Sequence, residues 1–343
     1  MSRAVRFFSR IKESFPVPRF LSLNPVAIDI STQKIRLMRL RRSGDQLLPQ
    51  IFREVTVAGQ YDSSSISRDC DASSKDAQVL IETLTKLRKE LDLKYVGAIL
   101  PDIESYVYKI QLPAAARADV LSAVKFSLEE NVPLSFEESV FDYSVIDDES
   151  LLKKGKIDVI VNVFPKKVIA AYTEILERAG LTPVCFESES AALAEAVVGD
   201  GDIEPYLLIR LAADRTNVAI VERNVVQYSS SIQVSVRDAV ADPAGEKATE
   251  LKNALNKLLI FWFTNRDFGE EHKKINTAIV AGEESLSQEI DEFLERHLKI
   301  GVRAGNAWTN CLDLEKQIPT IDRAASLNYA AVIGLALKLK LHG

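Results

Sequence analysis

Few residues of this chain have the types and spacing that chemistry asks for. Cys70, Cys185 and Cys311 are odd in number and far apart, with no CxxC pair, so neither a disulfide framework nor a zinc site is predicted. A reducing compartment fits that pattern. His272, His297 and His342 lie outside ligand spacing of one another and near charged neighbours; they read as surface residues, and no metal centre is predicted. Asp29 closes an apolar run and precedes the polar stretch Ser31-Thr32-Gln33-Lys34. By itself it is a polar residue at a strand end, and only its context can give it a role.

The first 24 residues carry a second kind of chemistry. Arg3, Arg6, Arg10, Lys12 and Arg19 face a single Glu13, a local balance of +4 in a chain of net charge −6, which leaves −10 for the remainder. Phe8, Ile11 and Phe15 recur at helical spacing with Phe7 beside them. A short helix there shows an aromatic and a basic face, the composition that suits anionic lipid, so Arg3, Arg6, Phe7, Phe8, Arg10 and Ile11 are candidate membrane contacts. The plainer reading is a frayed extension, or a helix packed on its own domain and ended by Pro16 and Pro18. The arginines interrupt every apolar stretch before a signal-peptide core forms. No apolar run reaches the roughly 18 residues needed to span a bilayer.

At 343 residues, with 47% apolar and 27% charged residues, the chain has a globular composition and room for about two domains. Its acidic balance, with a pI near 5.4, excludes a whole-surface nucleic-acid binder.

The positioning elements follow from periodicity and punctuation. Val26–Ile30 and Ile35–Leu40 flank the polar turn as a hairpin, and residues 47–57 continue the sheet. Residues 62–74, rich in Ser and Asp, read as an exposed loop. Val79, Leu80, Leu84, Leu87 and Leu91 mark an amphipathic helix over 77–91, followed by a buried strand at 95–100. Strands at 106–112, 141–146 and 157–164 and helices at 118–130 and 168–179 form a β-α-β-β-α unit, with Gly180 closing its last helix. After a strand at 184–186 and an Ala-rich helix, Gly199-Asp200-Gly201-Asp202 and Pro205 mark a junction. Beyond it come a three-stranded meander (206–211, 217–221, 225–229), a helix at 248–263, a strand at 276–280, and helices at 288–298 and 327–341. No internal repeat is visible.

That order resembles the actin-like ATPases, and among them the type IV pilus assembly protein PilM family and the cell-division protein FtsA; the cytoplasmic half of type II secretion protein L is a third relative. The resemblance covers nearly everything beyond residue 25. It rests on Ala27-Ile28-Asp29-Ile30, on Leu112-Pro113 with Phe126, Glu129, Pro133 and Phe141-Asp142-Tyr143, and on Val161-Asn162-Val163-Phe164-Pro165-Lys166 with Ala179-Gly180-Leu181-Thr182-Pro183. Leu327-Asn328-Tyr329-Ala330 and Gly334-Leu335-Ala336 complete it. It implies an α/β, actin-like (ribonuclease H-like) two-domain fold with an inserted small α/β subdomain. Residues 25–105, 186–204 and 325–343 would form the first domain, 106–185 the insert and 205–324 the second domain.

The resemblance also implies ATP and Mg²⁺ between two hairpin turns, held by close backbone amides and an acid. The positions that match are Asp29, Ser31, Thr32 and Arg36 in the first hairpin, Arg210, Ala212 and Thr216 in the second, and Gly282. The chain departs from the pattern in three places. Ser31 replaces a glycine; Arg210-Leu211-Ala212 replaces Asp-Ile-Gly; and Ala281-Gly282-Glu283-Glu284 replaces a glycine pair. A guanidinium cannot coordinate Mg²⁺, and Asp214 is the acid left to stand in. No catalytic residue and no cofactor is fixed by the sequence, and the expectation leans away from an enzyme.

As a PilM-like protein the chain is expected to be a cytoplasmic scaffold, peripheral on the inner-membrane face. It would take the N-terminal cytoplasmic peptide of a PilN-like inner-membrane protein beside the insert, meet other pilus assembly proteins, and self-associate as a homo-oligomer; no nucleic acid is expected. Phe126, Leu134, Phe136 and Tyr143 are the candidate peptide contacts, and core packing is the plainer explanation of any single one. The other readings are an active ATP-binding and hydrolysing actin-like protein and an FtsA-like membrane-associated anchor.

Overall fold

Val26–Ile30 is fully buried along its length and forms the centre strand, β1, of the first sheet. The computed structural model describes residues 23–30, 34–44, 46–57, 66, 71–146, 149–264, 274–283 and 285–341. Strands β2 (Lys34–Ser43) and β3 (Gln46–Thr56) continue from β1 as antiparallel neighbours, and β4 (Tyr95–Leu100) joins β1 in parallel. Between β3 and β4, helix α1 (Lys75–Leu91) starts where the Ser74 hydroxyl accepts from the Ala77 amide, and it buries Ala77, Leu80, Leu84 and Leu87. The stretch before it is not wholly exposed as the composition predicts, because Ile66 and Ala72 enter this core.

The insert begins at β5 (Tyr106–Pro113). It continues through α2 (Val120–Asn131), β6 (Ser139–Ile146), the short α3 (Glu149–Lys153) and β7 (Lys156–Pro165), giving an antiparallel sheet ordered β5-β7-β6. Val120, Val124 and Leu128 of α2 pack on Ile157, Val159, Val161 and Val163 of β7. The following α4 (Lys166–Arg178) leaves that sheet: Val168, Tyr172, Ile175 and Leu176 join α1 under the first sheet. Strand β8 (Thr182–Ser188) then pairs in parallel with β4. The expected 106–185 unit thus shares its last third with the first core.

Helix α5 (Glu189–Val197) opens with the Ser188 hydroxyl accepting from the Ala191 amide. The second half repeats the plan of the first, with β9 (Tyr206–Leu211), β10 (Thr216–Glu222), β11 (Val225–Ile232), β12 (Thr277–Gly282) and β13 (Gly301–Ala304) in the order β11-β10-β9-β12-β13. Helices α6 (Val236–Ala241), α7 (Glu246–Thr264) and α8 (Gln288–Leu298) cover one face around Trp262. Both α6 and β13 are shorter than the periodicity reading resolves, so neither is among its elements. The predicted final helix is two: α9 (Arg323–Asn328) and α10 (Ala330–Leu341), broken at Tyr329.

The halves meet through α5 and α10, whose small residues share one cluster with Leu208, Ala219 and Ile279 of the second sheet. The approach is closest at Gly334, where a Cβ would stand 1.7 Å from the Ala192 carbonyl oxygen, so only glycine fits.

Candidate functional site

Asp29 sits next to the end of β1 with Arg36 as its cross-strand partner in β2, and both are buried. Arg210, on β9, lies in register with Asn217 of β10 and Ala281 of β12. The two hairpins face one another across the seam between the halves. There Arg210 Nη2 donates to Asp29 Oδ2 at 2.8 Å, while Arg210 Nη1 is paired with Glu189 in the first turn of α5. Asn217 Nδ2 donates to the other Glu189 oxygen.

Arg36 extends the network. Its Nη1 lies 3.9 Å from Asp29 Oδ2, its Nε donates to Glu54 of β3 at 2.7 Å, and its Nη2 donates to Glu283, just past β12, at 3.2 Å. Lys34 bridges the same two glutamates at 3.0 and 3.7 Å. Burial lowers the pKa of both arginines and the carboxylates oppose it: for Arg36, Asp29 and Glu54 outweigh burial, whereas Arg210 stays below its ordinary value despite Asp29. The opposing effects on Glu54 are burial, which raises its pKa, and the bonds from Lys34 and Arg36, which prevail and lower it.

Behind this network Asp102 accepts from the Ser190 amide at 3.0 Å and from the Ser190 hydroxyl. Burial pushes Asp102 up to about 6, against the pull of those two bonds and of Arg210. Its Oδ1 is buried without a hydrogen-bond partner.

The other predicted positions have structural tasks. Thr216 donates its hydroxyl to the Val234 carbonyl at 2.7 Å and is fully buried, while Ala212 closes the β9–β10 turn by donating its amide to the Arg215 carbonyl. Gly282 has φ +96°, and a Cβ there would stand 2.2 Å from the Leu211 carbonyl oxygen, so this glycine is required by the β9–β12 approach alone. Asp214 is held by its neighbour Arg215 at 2.9 Å. Ser31, Thr32 and Glu284, with the whole stretch holding Arg3, Arg6, Phe7, Phe8, Arg10 and Ile11, lie outside the described residues.

A magnesium-bound triphosphate does not fit this arrangement. Asp29 is already bonded to Arg210 and flanked by Arg36, and the position matching the second acid carries a cation whose guanidinium is held by Asp29 and Glu189. Beside it, a cavity of about 480 Å³ opens between Arg237, Ser285, Ser287 and Asn328 near the start of α8.

A second concavity, of about 360 Å³, lies where the insert, the first sheet and the β10–β11 turn converge. Val140, Phe141, Asp142, Tyr143 and Ser144 all line it. Side chains alternate along a strand, so five consecutive lining residues mean that the backbone edge of β6 forms the wall. Among the described residues only β7 pairs with β6, and the Tyr143 amide donates to the Asp142 carboxylate at 2.8 Å rather than to a neighbouring strand.

Of the four residues put forward as peptide contacts, Tyr143 borders this groove. Leu134 and Phe136 pack into the insert core, where Phe136 meets Phe141 at 6.0 Å between ring centroids, and Phe126 stands 80% exposed on α2. Glu189, Asp102, Glu54 and Asn217 escaped the sequence reading. A carboxylate in the Ser-Glu-Ser start of α5 was the one local sign. His297, expected at the surface, is half-buried: its ring lies tilted against Phe293 and its Nδ1 lies 2.6 Å from the Phe293 carbonyl. The thiols of Cys185 and Cys311 are pushed by burial up to about 11 and about 12, which marks them as packing residues.

Residues 27–234, more than half of the chain, match the profile of the type IV pilus assembly protein PilM family. The chain belongs to that family. Its fold is also similar to that of a solved PilM-PilN type IV pilus biogenesis complex, with a TM-score of 0.71 at 17% identity over 92% of this chain and 98% of that one. Looser likenesses include the cytoplasmic domain of EpsL from the type II secretion system of Vibrio cholerae (TM-score 0.45, 13% identity, 93% and 94% covered). Another is an actin-like ATPase fold protein of unknown function from Bacteroides thetaiotaomicron (TM-score 0.42, 14% identity, 88% and 97% covered). A comparison with the sequences of curated proteins finds no significant match. As a PilM family protein the chain is a type IV pilus assembly protein of actin-like fold, and among its described residues no helix is long and apolar enough to cross a membrane.

Proposed function

We propose that this PilM family chain is a non-hydrolysing scaffold that holds the extended N-terminal peptide of a PilN-like inner-membrane protein against the edge of β6. The observation that carries the reading is the exposed edge of β6 lining the groove beside Phe164 and Phe186. An added strand takes its affinity from main-chain hydrogen bonds and its specificity from pockets for alternate side chains. The chain then sits at the cytoplasmic face of the inner membrane through its partner, with the basic segment around Arg3, Arg6 and Arg10 as an added lipid contact, and 106–165 is the subdomain that supplies the strand.

Titration of a synthetic peptide from the N-terminus of the PilN-like protein is expected to show saturable binding that Ser144→Arg, which fills the groove from an exposed position, weakens at least roughly tenfold. Binding equal in both proteins sinks the groove assignment. Co-sedimentation with anionic vesicles is expected to fall when residues 2–20 are deleted; unchanged co-sedimentation removes the lipid contact.

A second reading, an ATP-binding and hydrolysing chain, is favoured by the cavity beside α8. It predicts phosphate release from Mg·ATP, and the scaffold reading predicts none.

A further inference from the structure

Asp29 and Glu189 belong to the first half, the one on β1 and the other on the helix that follows β8, and Arg210 belongs to the second. One guanidinium therefore bonds to both its partners across the seam. A second cross-seam link runs from Arg36 and Lys34 on β2 to Glu283, just past β12. In a two-domain protein gated by nucleotide, the ligand makes the bridge between the halves, and it shifts their equilibrium by binding the closed form better. Here the bridging group is part of the chain and its contribution depends on no ligand concentration.

From this disagreement between the fold's nucleotide chemistry and the residues present, we infer that the chain Glu54–Arg36–Asp29–Arg210–Glu189, together with the Arg36–Glu283 pair, is an internal strut that replaces the nucleotide and holds the two halves closed in its absence.

The charges support the role. Arg36 and Arg210 balance Asp29 and Glu189, and all four are buried, so the network is neutral at its centre and needs no metal to compensate it. A magnesium ion would meet two cations there, and a triphosphate would have to displace two carboxylates from Arg210. Ser188 and Ala191, near Glu189 in sequence, line the groove along β6.

The test is amide hydrogen exchange of the full chain with and without millimolar Mg·ATP. Wild-type exchange in α5, α10 and the β9–β10 turn is expected to be the same in both; added protection with Mg·ATP overturns the inference. The triple variant Asp29→Asn, Glu189→Gln, Arg210→Met removes three charges together and leaves neither carboxylate buried without its cation. Folded by circular dichroism, it is expected to exchange at least roughly tenfold faster along α5 and α10, and wild-type rates there overturn the strut. Glu283→Gln, at a partly exposed position, keeps the question open to measurement if the triple variant does not fold. It is expected to speed exchange in the same helices by a smaller factor, and unchanged exchange there counts against the strut equally.

Discussion

Arg210 and Asp29 are 181 positions apart in the chain, on central strands of two different sheets, and meet at 2.8 Å. Each is buried, so neither has water to fall back on. A buried pair of this kind adds little over a well-packed apolar pair, but removing one partner leaves the other charged and unsolvated.

Arg210→Ala is therefore expected to destabilise the fold by about 3–5 kcal/mol, because Asp29 and Glu189 lose a common cation. The neutral triple variant should lose much less. Urea unfolding of both decides it, and equal losses would contradict the desolvation account.

Arg210→Asp inverts the site. Asp29, Glu189 and the new carboxylate repel one another, and Mg²⁺ relieves the repulsion by taking oxygen ligands. The variant is expected to melt below wild type without metal and to regain stability in millimolar Mg²⁺, whereas wild type shows no such gain. Calorimetry is expected to give no micromolar Mg·ATP binding for wild type and measurable binding for the variant.

Asp102 yields a pH prediction. Burial raises its folded pKa to about 6, above the unfolded value near 3.9. The folded state then holds the proton that the unfolded state has lost, so the contribution to stability is complete below about pH 4 and disappears as pH rises through about 6. Asp102→Asn keeps an acceptor for Ser190 without a titrating group. Its melting temperature relative to wild type is expected to rise between pH 4.5 and pH 7; a constant difference rules out the assignment.

Gly334→Ala puts a methyl group into the Ala192 carbonyl, where backbone rather than a movable side chain stands in the way. A gain in helix propensity of about 1 kcal/mol is offset by separation of α5 from α10, and a net loss of about 1–3 kcal/mol is expected by thermal unfolding. A variant as stable as wild type would show that the seam yields there.

Much of the fold was legible because its elements are locally consistent. Val26–Ile30, Tyr95–Leu100 and Gln288–Leu298 begin and end where apolar period and punctuation place them. Three elements absent from the reading, α3, α6 and β13, are five, six and four residues long, too short for either period to register. Helix α4 was placed with the insert by sequence neighbourhood, yet its apolar face of Val168, Tyr172, Ile175 and Leu176 found the larger surface under the first sheet.

The candidate site divides in the same way. Asp29, Arg36, Arg210 and Gly282 stood out from their matching positions in the two hairpins and the third turn, and it is the resemblance that puts Arg210 where its pattern has an acid. Glu189 and Asp102 did not stand out, because a carboxylate at a helix start and another in a short turn are ordinary until burial removes their water. The same holds for the edge of β6: its alternating residues were readable, but that this edge lies open beside β8 and the β10–β11 turn depends on how three sheets pack. Local pattern determines which backbone a segment adopts, since it depends on neighbours three or four residues away. Which charges share one dry seam depends on long-range packing, and that is why only the tertiary structure decided that Arg210 finds Asp29 on one side and Glu189 on the other.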